Sequence, residues 1–177
     1  MATTQILIAG FGGQGVLFAG KFLAYKGLIA DKQVSWLPSY GPEMRGGTSN
    51  CTVVISDEEI GSPSVTTPDI AVVMNLPSFD KFEPKVACGG TIFCDSTLID
   101  KESVRDDIKA VYIPTTAIAN DNGLSGFANV IMLGQILKVT GIFEFEEFKN
   151  YLIAGIPETK AALIEKNKKA LDIGYNY

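Results

Sequence analysis

The stretch Gly10-Phe11-Gly12-Gly13-Gln14-Gly15 decides the fold of this chain. It follows an apolar run at residues 6–9, which is typical of a short, buried parallel strand. It precedes an apolar segment that predicts a helix ending near Ala30, with its apolar residues on one face. Glycine suits the turn between them, because it adopts positive φ angles and lets a ligand or another backbone come close. A strand, a glycine turn and a helix form the Rossmann-like opening of many α/β folds.

The function of this glycine turn has more than one interpretation. The spacing of Gly10, Gly12 and Gly15 fits the dinucleotide-binding pattern G-x-G-x-x-G. A nicotinamide site also needs an acidic residue at the end of the second strand, but the strand predicted at residues 33–37 ends in Pro38. The turn could instead only pack the helix on the strand. Because the free N–H groups of a helix start attract anions, Gly12 to Gly15, with Gln14, are candidate ligand-binding or subunit-docking residues.

A second rigid segment follows the second strand, at residues 38–47. Two prolines and three glycines restrict it to a small set of turns. This frame displays Tyr40, Glu43 and Arg45, and Arg45 is well suited to bind a phosphate or a carboxylate. Gly46 and Gly47 permit close backbone approach. All five are candidate ligand-binding or docking residues, and the alternative is a surface turn with a solvated Glu–Arg pair.

The remaining chain alternates strand-like and helix-like segments. Strands are predicted at residues 48–56, 69–75, 91–95 and 111–114, and helices at 76–82, 115–120, 125–140, from Glu144 and from Pro157. This order predicts one domain over residues 1–177, with a three-layer α/β fold: a mostly parallel sheet flanked by helices, and a helical C-terminal part. The helix at 125–140 is so apolar, apart from Asn129 and Gln135, that it must lie inside the domain or face another subunit.

Two polar residues end predicted strands. Asn75 and Asp95 lie where parallel strands line a ligand crevice, but both are also good turn and helix caps. We expect capping for both.

Composition excludes several classes of protein. The 177 residues are 46% hydrophobic and 20% charged, with a net charge of −5, which argues against nucleic-acid binding. The sequence contains no apolar run of transmembrane length and no signal-type segment at its start. We expect a cytoplasmic protein without a membrane partner.

Histidine is absent and cysteine is scarce. Without histidine, mixed cysteine–histidine zinc sites and Ser-His-Asp or Cys-His arrangements cannot form. The three cysteines are too few for a four-thiolate iron–sulfur cluster, and we expect Cys51 and Cys94 to be buried and Cys88 to lie in a loop. We therefore predict no metal site and assign no catalytic residue. Any catalysis would rest on Glu, Asp, Lys or Tyr side chains, or on a cofactor held by another chain.

These motifs together resemble the γ subunit of 2-oxoacid:ferredoxin oxidoreductases. The resemblance is carried by the turn at residues 10–15, by the loop at 39–47, by the segments 55–57, 60–63, 68–69, 95–96 and 116–119, and by Asn129, Leu133-Gly134, Asn167 and Ala170. The loop Tyr-Gly-Pro-Glu-Met-Arg-Gly-Gly at residues 40–47 is the most specific of them. The resemblance covers nearly the whole chain.

The resemblance implies a reaction and a set of partners. Such complexes convert a 2-oxoacid and coenzyme A into an acyl-CoA, carbon dioxide and reduced ferredoxin. It implies thiamine diphosphate between the α and β subunits, 4Fe–4S iron–sulfur clusters on β and ferredoxin-like δ parts, and ferredoxin as acceptor. This chain would bind none of these cofactors alone and would serve assembly, with or without positioning coenzyme A.

The sequence also bears on the choice of 2-oxoacid and on an alternative function. Among pyruvate, 2-oxoglutarate and branched-chain acids, the segment from Trp36 to Gly47 favours 2-oxoglutarate by resemblance. The alternative function is a free-standing nucleotide-binding Rossmann-like protein, which the missing ribose carboxylate opposes.

Overall fold

A computed structural model describes residues 3–39 and 48–177. Its strands are β1 (Thr3–Phe11), β2 (Gln33–Ser39), β3 (Thr48–Ser56), β4 (Ile70–Val73), β5 (Thr91–Asp95) and β6 (Lys109–Ile113). Its α-helices are α1 (Val16–Ile29), α2 (Leu76–Phe82), α3 (Thr115–Asp121), α4 (Ala128–Thr140), α5 (Phe145–Ala154) and α6 (Ala161–Asn176). Short 3₁₀ turns at Glu83–Lys85 and Glu158–Lys160 follow α2 and precede α6.

The six strands form one sheet in the order β2-β3-β1-β4-β5-β6. The pairs β1–β4, β4–β5 and β5–β6 are parallel, as the alternation of strands and helices predicted. Strand β3 is antiparallel to both of its neighbours, β1 and β2. The chain passes from β2 to β3 through only the eight residues 40–47, too few for the crossover that a parallel pair needs. The sheet is therefore mixed but mostly parallel.

Apolar side chains cover both faces of the sheet. One face packs under α1, α4, α5 and α6, with Ile6, Val53 and Phe93 among its buried residues. The other face packs under α2 and its 3₁₀ turn, with Leu7 and Ile92 among its buried residues. The alternation of neighbouring β1 residues between the two cores follows from the two-residue period of a strand. The predicted three-layer arrangement is confirmed.

Helix α4 is the internal helix of the fold. Its residues from Asn129 to Leu137 are all buried, so its apolar surface is covered within the domain rather than by another subunit. The helix begins at Ala128, three residues later than predicted, because Gly126 adopts a φ of 87° and the chain turns there.

Helices α4 and α6 cross at two glycines. A Cβ atom on Gly134 would collide with the backbone oxygen of Leu171, and one on Gly174 with the backbone oxygen of Ile131. The two backbones therefore lie in direct contact, an approach that no larger residue permits.

Helix α1 differs from its prediction. Its inner face is buried, but Phe18, Tyr25, Leu28 and Ile29 remain 39–61% exposed on its outer face. The apolar residues therefore surround the helix instead of lying on one face. No helix within the two described ranges is long and apolar enough to cross a bilayer.

Candidate functional site

The glycine turn between β1 and α1 is held by the side chain of Gln14. Its Oε1 accepts a hydrogen bond of 2.6 Å from the backbone N–H of Phe11, and its Nε2 donates one of 2.9 Å to the backbone oxygen of Met74. Met74 directly follows β4, so this one amide joins the carboxyl ends of two parallel strands. After β1 the chain forms β2 and β3 on one side of that strand, and it then forms β4, β5 and β6 on the other side. Open α/β sheets bind ligands at the carboxyl ends of the strands where the order reverses in this way.

The glycines of the turn have two different roles. Gly10 and Gly15 serve packing: a Cβ atom on Gly10 would lie 2.9 Å from Cβ of Met74, and one on Gly15 would collide with the amide of Asn129. Gly12 and Gly13 have nothing within 4 Å of their Cβ positions. A ligand or partner can therefore come close to the backbone at Gly12 and Gly13, as predicted. At Gly15 the side chain of Asn129 occupies that space.

The N-terminus of α1 carries no compensating side chain. Its N-cap is Gly15, at a φ of 74°, which makes no side-chain cap hydrogen bond, and the first turn contains no acidic residue. The first N–H groups of a helix have no intrahelical acceptor and lie at the positive end of its dipole. This end can accept an anionic group such as a phosphate.

A cavity of about 300 Å³ adjoins the turn, between the N-terminus of α1 and helices α4 and α6. Its walls are mostly apolar and consist of Gly15, Phe18, Gly126, Phe127, Asn129, Val130, Ile156, Leu163 and Asn167. Asn129 donates from Nδ2 to the backbone oxygen of Gly15 at 3.2 Å, and Asn167 donates from Nδ2 to the backbone oxygen of Leu163 at 2.8 Å.

Both of these asparagines leave an amide oxygen unpaired. The side-chain oxygens of Asn129 and Asn167 are buried, and neither has a hydrogen-bond partner within the part of the chain that the structure describes. Such an unpaired buried acceptor is costly to the fold. Both oxygens are enclosed, so they do not face the open space of the cavity.

A second cavity, of about 190 Å³, lies on the other side of Gly126. It is lined by Gly13, Gln14, Leu98, Thr116, Ala119, Asn120, Ser125, Gly126 and Ala128. The two cavities share Gly126, and the open Gly13 lines the second. Together their volume is in the range of small-molecule sites.

The predicted caps are confirmed. Asn75 accepts from the backbone N–H of Ser78 at 2.9 Å and so caps α2. Asp95 accepts from the backbone N–H of Thr97 at 3.1 Å and from both the backbone N–H and the hydroxyl of Thr116, at 3.2 and 2.5 Å. Asp95 thereby positions Thr116, which lines the second cavity, without itself lining either cavity.

The thiols do not fit an iron–sulfur cluster on this chain. Cys51 belongs to the core on one face of the sheet and Cys94 to the core on the other, and burial raises the pKa of each to about 12. Cys88 is exposed. Residues 3–39 and 48–177 contain no group of three or more potential metal-ligating His, Cys, Asp or Glu side chains.

The strand order also bears on nicotinamide binding. In dinucleotide-binding domains the second strand lies beside the first, so that its terminal carboxylate reaches the ribose. Here β3 lies between β1 and β2, which separates them by about 10 Å. The sequence lacks the carboxylate that would bind the ribose, and the strand order also disfavours a nicotinamide site here.

Sequence reasoning located only part of this site. Tyr40, Glu43, Arg45, Gly46 and Gly47 lie outside the described residues. Gly126 and Asn167 were not recognised as cavity-lining residues. One usable signal was Asn129, which with Gln135 interrupts an apolar helix, since buried amides are retained where they make specific hydrogen bonds.

Comparison with known proteins gives a consistent result. Residues 5–177 match the family described as pyruvate ferredoxin/flavodoxin oxidoreductase. Ketoisovalerate oxidoreductase subunit VorA from Methanothermobacter thermautotrophicus is 43% identical over 96% of this chain, and 2-oxoglutarate synthase subunit KorC from Methanocaldococcus jannaschii is 36% identical over 97%. The match spans 35% of VorA but 91% of KorC.

A solved structure has the same fold. The γ subunit of a keto/oxoacid ferredoxin oxidoreductase from Geobacter sulfurreducens superposes with a TM-score of 0.85 at 30% identity, covering 99% of this chain and 96% of that one. The chain therefore belongs to the pyruvate ferredoxin/flavodoxin oxidoreductase family and is similar to the γ subunits of 2-oxoacid:ferredoxin oxidoreductases.

Proposed function

We propose that this chain is the γ-type subunit of a cytoplasmic complex that converts a 2-oxoacid and coenzyme A into an acyl-CoA, carbon dioxide and reduced ferredoxin. The observation that carries the proposal is the family match over residues 5–177. Thiamine diphosphate on α and β partner subunits would supply the carbanion chemistry, and clusters on β and δ parts would carry electrons to ferredoxin. This chain supplies position rather than reacting groups, and it is inactive alone.

Its ligand in this proposal is coenzyme A. The open glycines and the uncapped α1 N-terminus suit a phosphate of the coenzyme. The adjoining apolar cavity, of about 300 Å³, suits the pantetheine arm. Arg45, from the loop outside the described residues, is the side chain proposed to complete the anion site.

Gly12→Asp tests the coenzyme A site. Gly12 is exposed, has nothing within 4 Å of its Cβ position and has no positive φ, so the substitution leaves the fold intact and places a negative charge at the turn. In the purified complex we expect the KM for coenzyme A to rise about tenfold with the subunit composition unchanged. Gly61→Asp, at an equally open glycine distant in sequence, is the matched control and should change nothing.

The competing role is subunit docking by the same loops. In that case Gly12→Asp and Arg45→Ala would weaken assembly while the complex that remains shows an unchanged KM for coenzyme A. The free-standing nucleotide-binding alternative predicts that an adenine nucleotide raises the melting temperature of the isolated chain, and we expect no such rise.

The choice of 2-oxoacid is tested in the same preparation. The preference for 2-oxoglutarate inferred from the sequence stays a prediction, and its competitor is ketoisovalerate, since VorA is 43% identical to this chain and KorC 36%. Comparing kcat/KM for the two acids and for pyruvate decides between them.

A further inference from the structure

The outer face of α1 is an apolar surface that residues 3–39 and 48–177 leave exposed. We use this name for Phe18, Lys21, Tyr25, Leu28 and Ile29, which recur three, four or seven residues apart and so share one side of the helix. The four apolar members are 39%, 47%, 52% and 61% exposed. A row of large apolar side chains on one helix marks an interaction surface more often than isolated exposed residues do.

The charge on this face indicates what can cover it. Lys21 is its only charged residue, it lies 5.5 Å from the centre of the Tyr25 ring, and α1 contains no acidic residue. In a two-fold pair of identical chains the same face packs against itself, and α1 of neither copy supplies a carboxylate to pair with Lys21 of the other. The face therefore fits a different polypeptide, apolar and carrying a carboxylate opposite Lys21, better than a second copy.

The relatives indicate which polypeptide this is. The matched region is 35% of the VorA protein but 91% of the KorC protein. The same domain thus occurs joined to a segment about twice its size and also as a nearly separate chain. Domains that share a polypeptide commonly share an interface, and the corresponding separate chains need the same contact to assemble.

We propose that the outer face of α1 docks the subunit that corresponds to the additional part of VorA, through an apolar contact centred on Tyr25 and Leu28 with a carboxylate facing Lys21. This inference rests on the proposed membership in a multi-subunit complex. The face is continuous with the coenzyme A cavity, because Phe18 belongs to both. A subunit seated on α1 would therefore close one side of that cavity.

The test is a capture experiment in the native source with tagged variants. Leu28→Glu places a charge in the centre of the face, and we expect it to reduce the captured partner about tenfold relative to wild type. Val104→Glu is the matched control, because Val104 is 98% exposed and lies in the loop before β6, so it should capture the partner normally. Melting temperatures of the isolated variants verify that both are folded.

Four outcomes decide the matter. A partner lost only with Leu28→Glu, and matched by mass spectrometry to the additional part of VorA, supports the proposal. Equal capture by wild type and both variants contradicts the docking face while leaving the proposed function intact. A wild-type chain that captures no other subunit contradicts both. An isolated chain that is a dimer in solution, and a monomer with Leu28→Glu, assigns the face to a second copy and overturns the proposal.

Discussion

Gln14 links the glycine turn to the neighbouring strand, because its Nε2 atom donates a hydrogen bond of 2.9 Å to the backbone oxygen of Met74. Its Oε1 atom accepts from Phe11 at 2.6 Å, so both ends of the amide are used. The open glycines 12 and 13 lie between Phe11 and Gln14 and are therefore held in place by one side chain. The shape of the candidate site depends on this amide.

Gln14→Glu should destabilise the protein in a pH-dependent way. An ionised carboxylate keeps the acceptor for Phe11 but cannot donate to Met74, so we expect a loss of about 1 to 3 kcal/mol at neutral pH. Protonation restores a donor, and facing a carbonyl oxygen raises the pKa of the new carboxyl above its ordinary value of about 4.3. The deficit relative to wild type, measured by chemical denaturation, should shrink as the pH falls toward 5. A deficit that is constant with pH would contradict this role of the amide.

Gly174→Ala should lower the melting temperature strongly. The added methyl group would collide with the backbone oxygen of Ile131 in α4, and a backbone neighbour cannot rotate away. Overpacking of this kind costs about 1 to 3 kcal/mol, which for a chain of this size is roughly 2 to 10 °C in Tm. Gly61→Ala is the control, since nothing lies within 4 Å of its Cβ position, and its Tm should stay near that of wild type. Similar Tm values for the two variants would refute the close α4–α6 contact.

The three thiols should react at very different rates. Burial raises the pKa of Cys51 and of Cys94 to about 12, whereas Cys88 is exposed on the surface. In the isolated folded chain at mildly alkaline pH, one thiol should react rapidly with a disulfide reagent, and all three should react in concentrated guanidinium chloride. Rapid reaction of two thiols in the folded chain would show that one of the two cores is open.

Glu144 should make the stability of α5 depend on pH. Its carboxylate caps the helix by accepting from the backbone N–H of Glu147 at 2.7 Å, and this hydrogen bond lowers the pKa of Glu144. A lowered pKa in the folded state stabilises the fold above the unfolded value of about 4.3, and the contribution is lost as the pH falls through the lowered value. Glu144→Ala should therefore reduce Tm at neutral pH, with a smaller difference from wild type in acid.

The control for this cap is Glu146→Ala. It removes an exposed carboxylate from the same helical turn without removing the cap. Equal effects of the two substitutions at neutral pH would mean that the charge, and not the hydrogen bond, is responsible.

Local signals predicted most of the fold. The strands were predicted from their apolar runs, and polar caps such as Asn75 before α2 marked where some of them end. Pro38 was expected to end β2, but the strand continues to Ser39. The pairing of β3 was not predicted, because strand direction depends on how the chain crosses over and not on side-chain pattern. Its signal was the length of the connection after β2, since eight residues are too few for a crossover helix.

The sequence predicted only the part of the candidate site whose residues are consecutive in the chain. The glycine turn is contiguous and was recognised, but its cavity is completed by Asn129 and Asn167, more than a hundred residues away. The outer face of α1 was missed for a related reason. An apolar helix was expected to bury its apolar side chains within the domain, and only the packing shows that Leu28 and Ile29 remain exposed.

The most direct test of the central claim is purification of the tagged chain from its native source, with thiamine and iron content measured alongside 2-oxoacid oxidation. We predict that the chain copurifies with other subunits, that the assembly contains thiamine diphosphate and iron–sulfur clusters and forms acyl-CoA, and that the chain separated from its partners does none of this. An isolated chain that oxidises a 2-oxoacid by itself would contradict the account.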